Sequence, residues 1–210
     1  MKKQMYEKAG QELVKALKKR YFDAYYAQDK TEALKLALEL IPKDHSVSWG
    51  GSYTIDELGL KEALAERGNI LIDREKANNA EEKNKLAHEA LGCGTFLMSA
   101  NAISADGKIV NIDGTGNRVA ALIYGPKSVL VVAGMNKVRP DLDCAIKRAR
   151  NTAAPMNSQR FPSSKRPCYF TGKCSDCLCE DSICAQMVIT RLCKPAGRIK
   201  VIIVGEDMGM

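Results

Sequence analysis

Two kinds of apolar pattern alternate along this chain. Met5, Ala9, Leu13 and Leu17 recur at helical spacing and predict an amphipathic helix over Met5 to Arg20. Phe22 to Ala27 is rich in aromatics and suits a first strand. Asp29 and Glu32 have the form of a capping box, opening a helix through Leu40 that Pro42 stops. Ser46-Val47-Ser48-Trp49 is a short β run cut off by Gly50-Gly51. The rhythm continues with a helix over Ile55 to Arg67, closed by Gly68, and a strand over Asn69 to Asp73. Another helix, Glu81 to Leu91, closes at Gly92 before a strand at Thr95 to Ser99. Ile109 to Ile112 reads as β, Asn117 to Tyr124 as helix and Ser128 to Ala133 as a strongly apolar strand. A helix follows Pro140 through Arg150, and Arg198 to Val204 has the continuous apolar run of a fully buried strand.

Strands alternating with helices predict an α/β fold, a mostly parallel open sheet with helices on both faces. No internal repeat is visible. One stretch breaks the rhythm: Ala153 to Pro195 has little periodicity and holds four of the seven prolines. It has the composition of an inserted loop that something else must organise. At 210 residues the length suits one α/β domain over 1–210 carrying a Cys-rich insertion at about 153–195.

Ligands of open α/β sheets bind beyond the C-terminal strand ends, and three segments are expected there. In Gly50-Gly51-Ser52-Tyr53-Thr54, two glycines admit a ligand close to the backbone, and the N–H groups with the Ser52 and Thr54 hydroxyls suit a phosphate or carboxylate. A tight turn with a Ser or Thr helix cap explains the same residues equally well. Asn111-Ile112-Asp113-Gly114-Thr115-Gly116-Asn117-Arg118 forms a strand-turn-helix corner with more polar groups than capping needs, which favours ligand contact by Asn111, Gly114, Gly116, Asn117 and Arg118. The preceding Asp106-Gly107 is a natural hairpin turn. The third segment is Gly134-Met135-Asn136-Lys137, where Asn136 and the Lys137 cation either meet an anion or lie on the surface. None of these is a Walker A loop or a dinucleotide fingerprint, so ATP and NAD are not supported.

Charge changes the picture little. The formal net charge is +7, but most basic residues alternate with acids along helices. Lys18-Lys19-Arg20 and Lys147 to Arg150 fall late in helices, where cations suit the macrodipole, so no nucleic-acid partner is expected. No apolar run is long enough to span a bilayer, and the charged N-terminus lacks a signal-peptide core; the expectation is a cytoplasmic protein with no membrane partner.

Eight cysteines change it more, because six fall between Cys168 and Cys193. In a reducing compartment these are not expected to form disulfides. Cys168, Cys174, Cys177 and Cys184 give C-x5-C-x2-C-x6-C, enough thiolates for a zinc ion or an iron–sulfur cluster, and spacing does not separate the two. A proline-rich stretch of this kind gains little from burial, which favours a metal cross-link over an unliganded loop. Cys179 and Cys193 are left over; Cys93 reads as a small buried hydrophobe or a reactive thiol.

In combination, Ser48-Trp49-Gly50-Gly51-Ser52, Ala105-Asp106-Gly107, Asn111-Ile112-Asp113-Gly114, Gly116-Asn117-Arg118 and Val131 to Lys137 resemble the LUD domain, the family of the lactate-utilisation protein C, over nearly the whole chain. The resemblance implies the fold of glucosamine-6-phosphate isomerase, ribose-5-phosphate isomerase and the CoA transferases, in which the equivalent turn holds a phosphate or acyl ligand. It also implies a link to lactate or related organic-acid utilisation alongside iron–sulfur oxidoreductase subunits, and so tilts the cysteine site towards an iron–sulfur cluster, with zinc the alternative. Lactate-utilisation proteins proper need not carry this cysteine cluster, so the chain looks closer to a stand-alone branch. By analogy with the isomerases, Asp106 and Asp113 are candidate catalytic acid and base. Two functions follow: a redox-associated accessory protein binding a small anion (organic acid, phosphorylated or acyl compound), or an isomerase or acyl-transfer enzyme whose cysteine loop is structural.

Overall fold

A computed structural model describes residues 1–162 and 164–210. The strands are β1 Asp23–Ala27, β2 Val47–Trp49, β3 Leu71–Ile72, β4 Thr95–Met98, β5 Ala102–Ser104, β6 Ile109–Asp113, β7 Ser128–Gly134, β8 Val138–Arg139, β9 Gln186–Thr190 and β10 Ile199–Val204. The helices are α1 Lys2–Lys19, α2 Lys30–Leu40, α3 Tyr53–Leu58, α4 Leu60–Glu66, α5 Ala80–Glu89, α6 Asn117–Ile123, α7 Leu142–Arg148, α8 Ala154–Ser158 and α9 Pro167–Thr171.

Six strands form one sheet in the order β1-β10-β7-β4-β2-β3, with every pairing parallel. Because side chains alternate across a strand, the unbroken apolar runs of β7 and β10 feed two cores. Val129, Val131, Val201 and Ile203 pack with Leu13 and Leu17 of α1 and Leu122 of α6 on one face. Leu130, Val132, Ile202 and Val204 pack with Ala33 and Ala37 of α2, Ile55 of α3 and Leu64 of α4 on the other. The expected doubly covered parallel sheet is therefore present.

The sequence pattern does not announce the second sheet, ordered β8-β5-β6-β9 and mostly antiparallel. Strands of two or three residues such as β5 and β8 are too short to show a period. Asp106-Gly107 does make the β5–β6 turn, with Gly107 at φ +88°. The helix expected over Ile55 to Arg67 is broken at Gly59, whose φ of +69° ends α3 and starts α4.

The stretch from Ala153 to Pro195 is more ordered than a bare inserted loop. A π-helical turn at Ala149–Ala153 carries α7 into α8. Near its other end, β9 pairs antiparallel with β6 over five residues, from Ile109↔Thr190 to Asp113↔Gln186. Backbone pairing thus organises that part, and it places the segment beside the Asp113–Gly116 turn. Among the described residues no helix is long and apolar enough to cross a membrane.

Candidate functional site

The C-terminal ends of β2, β4 and β7 open onto a cavity of about 480 Å³. All three expected turns contribute to it, through Gly51, Ser52 and Thr54, then Asp113, Gly114, Asn117 and Arg118, then Lys137. Gly50, Asn111, Gly116 and Asn136 do not line it.

Lys137 is the deepest charge, only 3 % exposed. It follows β7 in a short turn, and its Nζ donates to Thr54 Oγ1 (2.8 Å) and Ser99 Oγ (2.9 Å). No carboxylate forms an ion pair with it among the described residues. Burial, reinforced by the Arg148 and Arg118 charges and only partly opposed by Glu57, pushes its pKa down to about 7. An ammonium ion this short of counter-charge is costly to keep protonated.

Arg118 is the second cation, and its burial also lowers its pKa. Its head is held from several sides: Nη2 donates to Asn101 Oδ1 (3.2 Å) and the Ile112 carbonyl, and Nε lies 3.6 Å from Asp113 Oδ2. Nη1 reaches Asn111 Oδ1 at 3.5 Å, and Asn111 Nδ2 is buried without a partner. Gly50 is needed for packing here, since a Cβ on it would lie 2.8 Å from Arg118 Cδ. The first two turns are thereby locked together. Ser52 is also the helix cap that its position before α3 suits, accepting from Ile55 N–H (3.4 Å), while its residue still lines the cavity. Asn136 Oδ1 accepts from Met208 N–H and pins the segment after β10.

The two aspartates expected as an acid–base pair are not brought together here. Asp106 sits in the β5–β6 turn, ion-paired with Arg20 (2.8 Å) and Lys108 and accepting from Ser104, and it does not line the cavity. The turn geometry that makes Asp-Gly favourable carries this carboxylate away from the strand ends. Asp113 does line the cavity, but its oxygens accept from Gly116 N–H (3.1 Å) and Val119 N–H (3.2 Å) at the start of α6.

Residues that the sequence did not single out complete the wall. Ser99 and Asn101 follow β4 and hold the two inner cations. Arg74, after β3, and Arg160 and Ile183, from the cysteine-rich stretch, form the rim. Only their position in three dimensions marks Arg74 and Arg160; Ile183 sits next to Cys184, inside the cysteine motif, but nothing there points to the cavity.

Of the expected metal ligands, Cys168 is buried on α9, Cys174 and Cys177 are half-buried and Cys184 is exposed. The Cys184 thiol is pushed up to about 11 by loss of water around it and then by Cys168, Cys174 and Cys177, although the residue as a whole keeps an exposed surface. The four chosen by spacing thus share one neighbourhood. Among the described residues no three His, Cys, Asp or Glu side chains stand in ligating geometry. Cys179 donates to Cys177 Sγ at 3.4 Å. Cys193 belongs to the main core, bonded to the Pro195 carbonyl and the Ile199 N–H. Cys93 is core as well, its thiol pushed up to about 11 by burial.

Comparison with known proteins accords with this architecture. A DUF162 family protein from Deinococcus radiodurans, solved at 1.70 Å, superposes over 95% of this chain and 98% of its own with a TM-score of 0.57 at 10% identity. Weaker, partial likenesses cover about half of each protein. They are to eIF2B delta from Chaetomium thermophilum (13% identity, 58% of this chain, 54% of that one, TM-score 0.38) and ribose 5 phosphate isomerase A from Neisseria gonorrhoeae (17% identity, 54% of each, TM-score 0.35). No curated protein matches the sequence. The LUD domain sequence pattern matches residues 10–204, and this chain belongs to the LUD domain family.

Proposed function

We propose that this LUD-domain protein is a redox-associated accessory protein of lactate or related organic-acid utilisation that binds a small anion in the cavity at the strand ends. The observation that carries the binding reading is Lys137, buried beside Ser99 and Thr54, sharing the cavity lining with Arg118 and paired to no carboxylate among the described residues. Desolvated cations of this kind are stabilised by an anionic ligand, and a carboxylate can replace the missing counter-charge at Lys137 while accepting from the Thr54 hydroxyl, the Ser99 hydroxyl being given to the Val132 carbonyl (2.6 Å). Titration of the protein with L-lactate and with propionate, followed by calorimetry, tests the reading; wild-type binding that weakens at least about tenfold in Lys137→Met supports it. Equal affinity in the two proteins counts against it.

Cys168, Cys174, Cys177 and Cys184 are the ligands in this proposal. Their all-thiol donor set suits an iron–sulfur cluster or zinc, and Cys168, Cys174 and Cys177 are near enough for their charge to act on Cys184. A cluster supplies one-electron transfer, to or from iron–sulfur oxidoreductase partners; zinc supplies a structural cross-link. Metal and sulfide analysis of anaerobically purified protein separates the two.

One observation favours a second reading, an isomerase or acyl-transfer enzyme. Lys137, with a pKa near 7, can hold or release a proton at neutral pH at the cavity floor, the property asked of a general acid or base. In that case the proton carrier is Lys137 in place of the Asp106–Asp113 pair, and Asp113 positions Arg118.

A further inference from the structure

The cavity has a second group of cations at its rim. Gly51 leaves an open point there: a Cβ on it would lie 3.7 and 3.8 Å from the two terminal Arg160 nitrogens and 3.9 Å from Arg74 Nη2. The two guanidinium groups arrive from distant parts of the chain, one following β3 and the other following α8. Neither takes part in an ion pair with a carboxylate among the described residues. Arg160 is held by Asn157 Oδ1 (3.4 Å) and lies over the Tyr53 ring at 5.9 Å. The neighbouring Glu75 carboxylate is engaged by Lys61 (3.1 Å). Two like charges converging on one point repel unless an anion lies between them.

This rim pair is distinct from the floor. Lys137 is buried, Arg74 half-buried and Arg160 exposed, so the charges lie at different depths of one cavity. The charges acting on Lys137 are those of Arg148, Arg118 and Glu57, whereas Arg74 acts on Arg118. The chemistry differs too. The floor offers one ammonium between two hydroxyls, which fits a carboxylate. The rim offers two planar forks, which match the three oxygens and double charge of a phosphate.

We infer that the cavity takes a two-headed anion, a phosphorylated organic acid, with its carboxylate at Lys137 and its phosphate bridging Arg74 and Arg160 over Gly51. The inference rests on the cavity being the anion site proposed above, and narrows its ligand class. It also ties ligand to the cysteine-rich stretch, because Arg160 belongs to it.

Calorimetric titration with phosphonoacetate, 3-phosphonopropionate and 4-phosphonobutyrate, against propionate and methylphosphonate, tests it. The best two-headed compound is expected to bind at least about tenfold tighter than either single-headed one. Arg74→Gln and Arg160→Gln are each expected to weaken that compound about fivefold or more while moving propionate less than about twofold. Both arginines lie towards the solvent side, so these variants should fold, which a thermal melt checks. If propionate binds but no second head adds affinity, or if the arginine variants weaken propionate as much as the phosphono compound, the two-headed inference fails and the anion site stands. If nothing binds wild type, both fail.

Discussion

Replacing Lys137 by methionine should make the free protein more stable while removing its anion affinity. The fall of the lysine from 10.5 to about 7 corresponds, at ~1.4 kcal/mol per pH unit, to at most about 5 kcal/mol by which burial opposes its protonation. Methionine avoids that cost, but it leaves the Thr54 and Ser99 hydroxyls without their donor, at about 1 kcal/mol each. A net gain of about 1–3 kcal/mol at pH 7 follows. The direction with pH is fixed by which state binds the proton. The unfolded lysine is protonated below 10.5, the folded one only below about 7, so folding releases a proton between those values. Wild-type stability therefore falls relative to Lys137→Met as pH drops from about 10 towards 7, and the difference levels off below 7. Urea unfolding of both proteins at pH 6, 7, 8 and 9 measures it. Parallel profiles, or a variant less stable than wild type at pH 7, refute the reasoning.

Other expectations follow from the same geometry. Anion affinity should fall as pH rises above 7, by up to about tenfold per pH unit, because binding needs the protonated lysine; an affinity independent of pH between 7 and 9 contradicts this. Gly50→Ala should push Arg118 from its place, costing about 1–2 kcal/mol of stability and about tenfold in propionate affinity, read by thermal melts and calorimetry. Alkylation of native, metal-free protein at pH 8 should label Cys184 and leave Cys93 unmodified, since both thiols are pushed up alike but Cys184 is exposed and Cys93 only 1 % exposed; mass spectrometry that finds Cys93 labelled first is the contrary result. Cys184→Ser should lower bound metal per chain in anaerobically purified protein, whereas Cys193→Ala should lower stability and leave metal content alone.

The parallel sheet was legible because its strands carry their own signal. The apolar runs of β7 and β10 are long enough to show that both sides are buried, and Asp29, Gly68 and Gly92 punctuate the helices. The second sheet was not, because β5 and β8 are too short for a period and β9 keeps exposed positions such as Met187 and Ile189. At the site, glycines and polar residues grouped at strand ends marked Gly51, Thr54, Asp113 and Lys137. Proximity in sequence could not distinguish Asp113 from Asp106, since only the fold shows one at the cavity and the other in a hairpin turn. Arg74 and Arg160 lie 86 positions apart, in segments with no glycine turn of their own, so nothing local reveals that they meet over Gly51.

The central claim, a buried lysine awaiting an anionic ligand, is tested most directly by calorimetry of propionate binding, a ligand that does not itself titrate there, at pH 8 in two buffers of different ionisation enthalpy. The account predicts uptake of close to one proton per ligand bound by wild type, lost together with tight binding in Lys137→Met. Binding with no proton uptake, at the same affinity in both proteins, would contradict it.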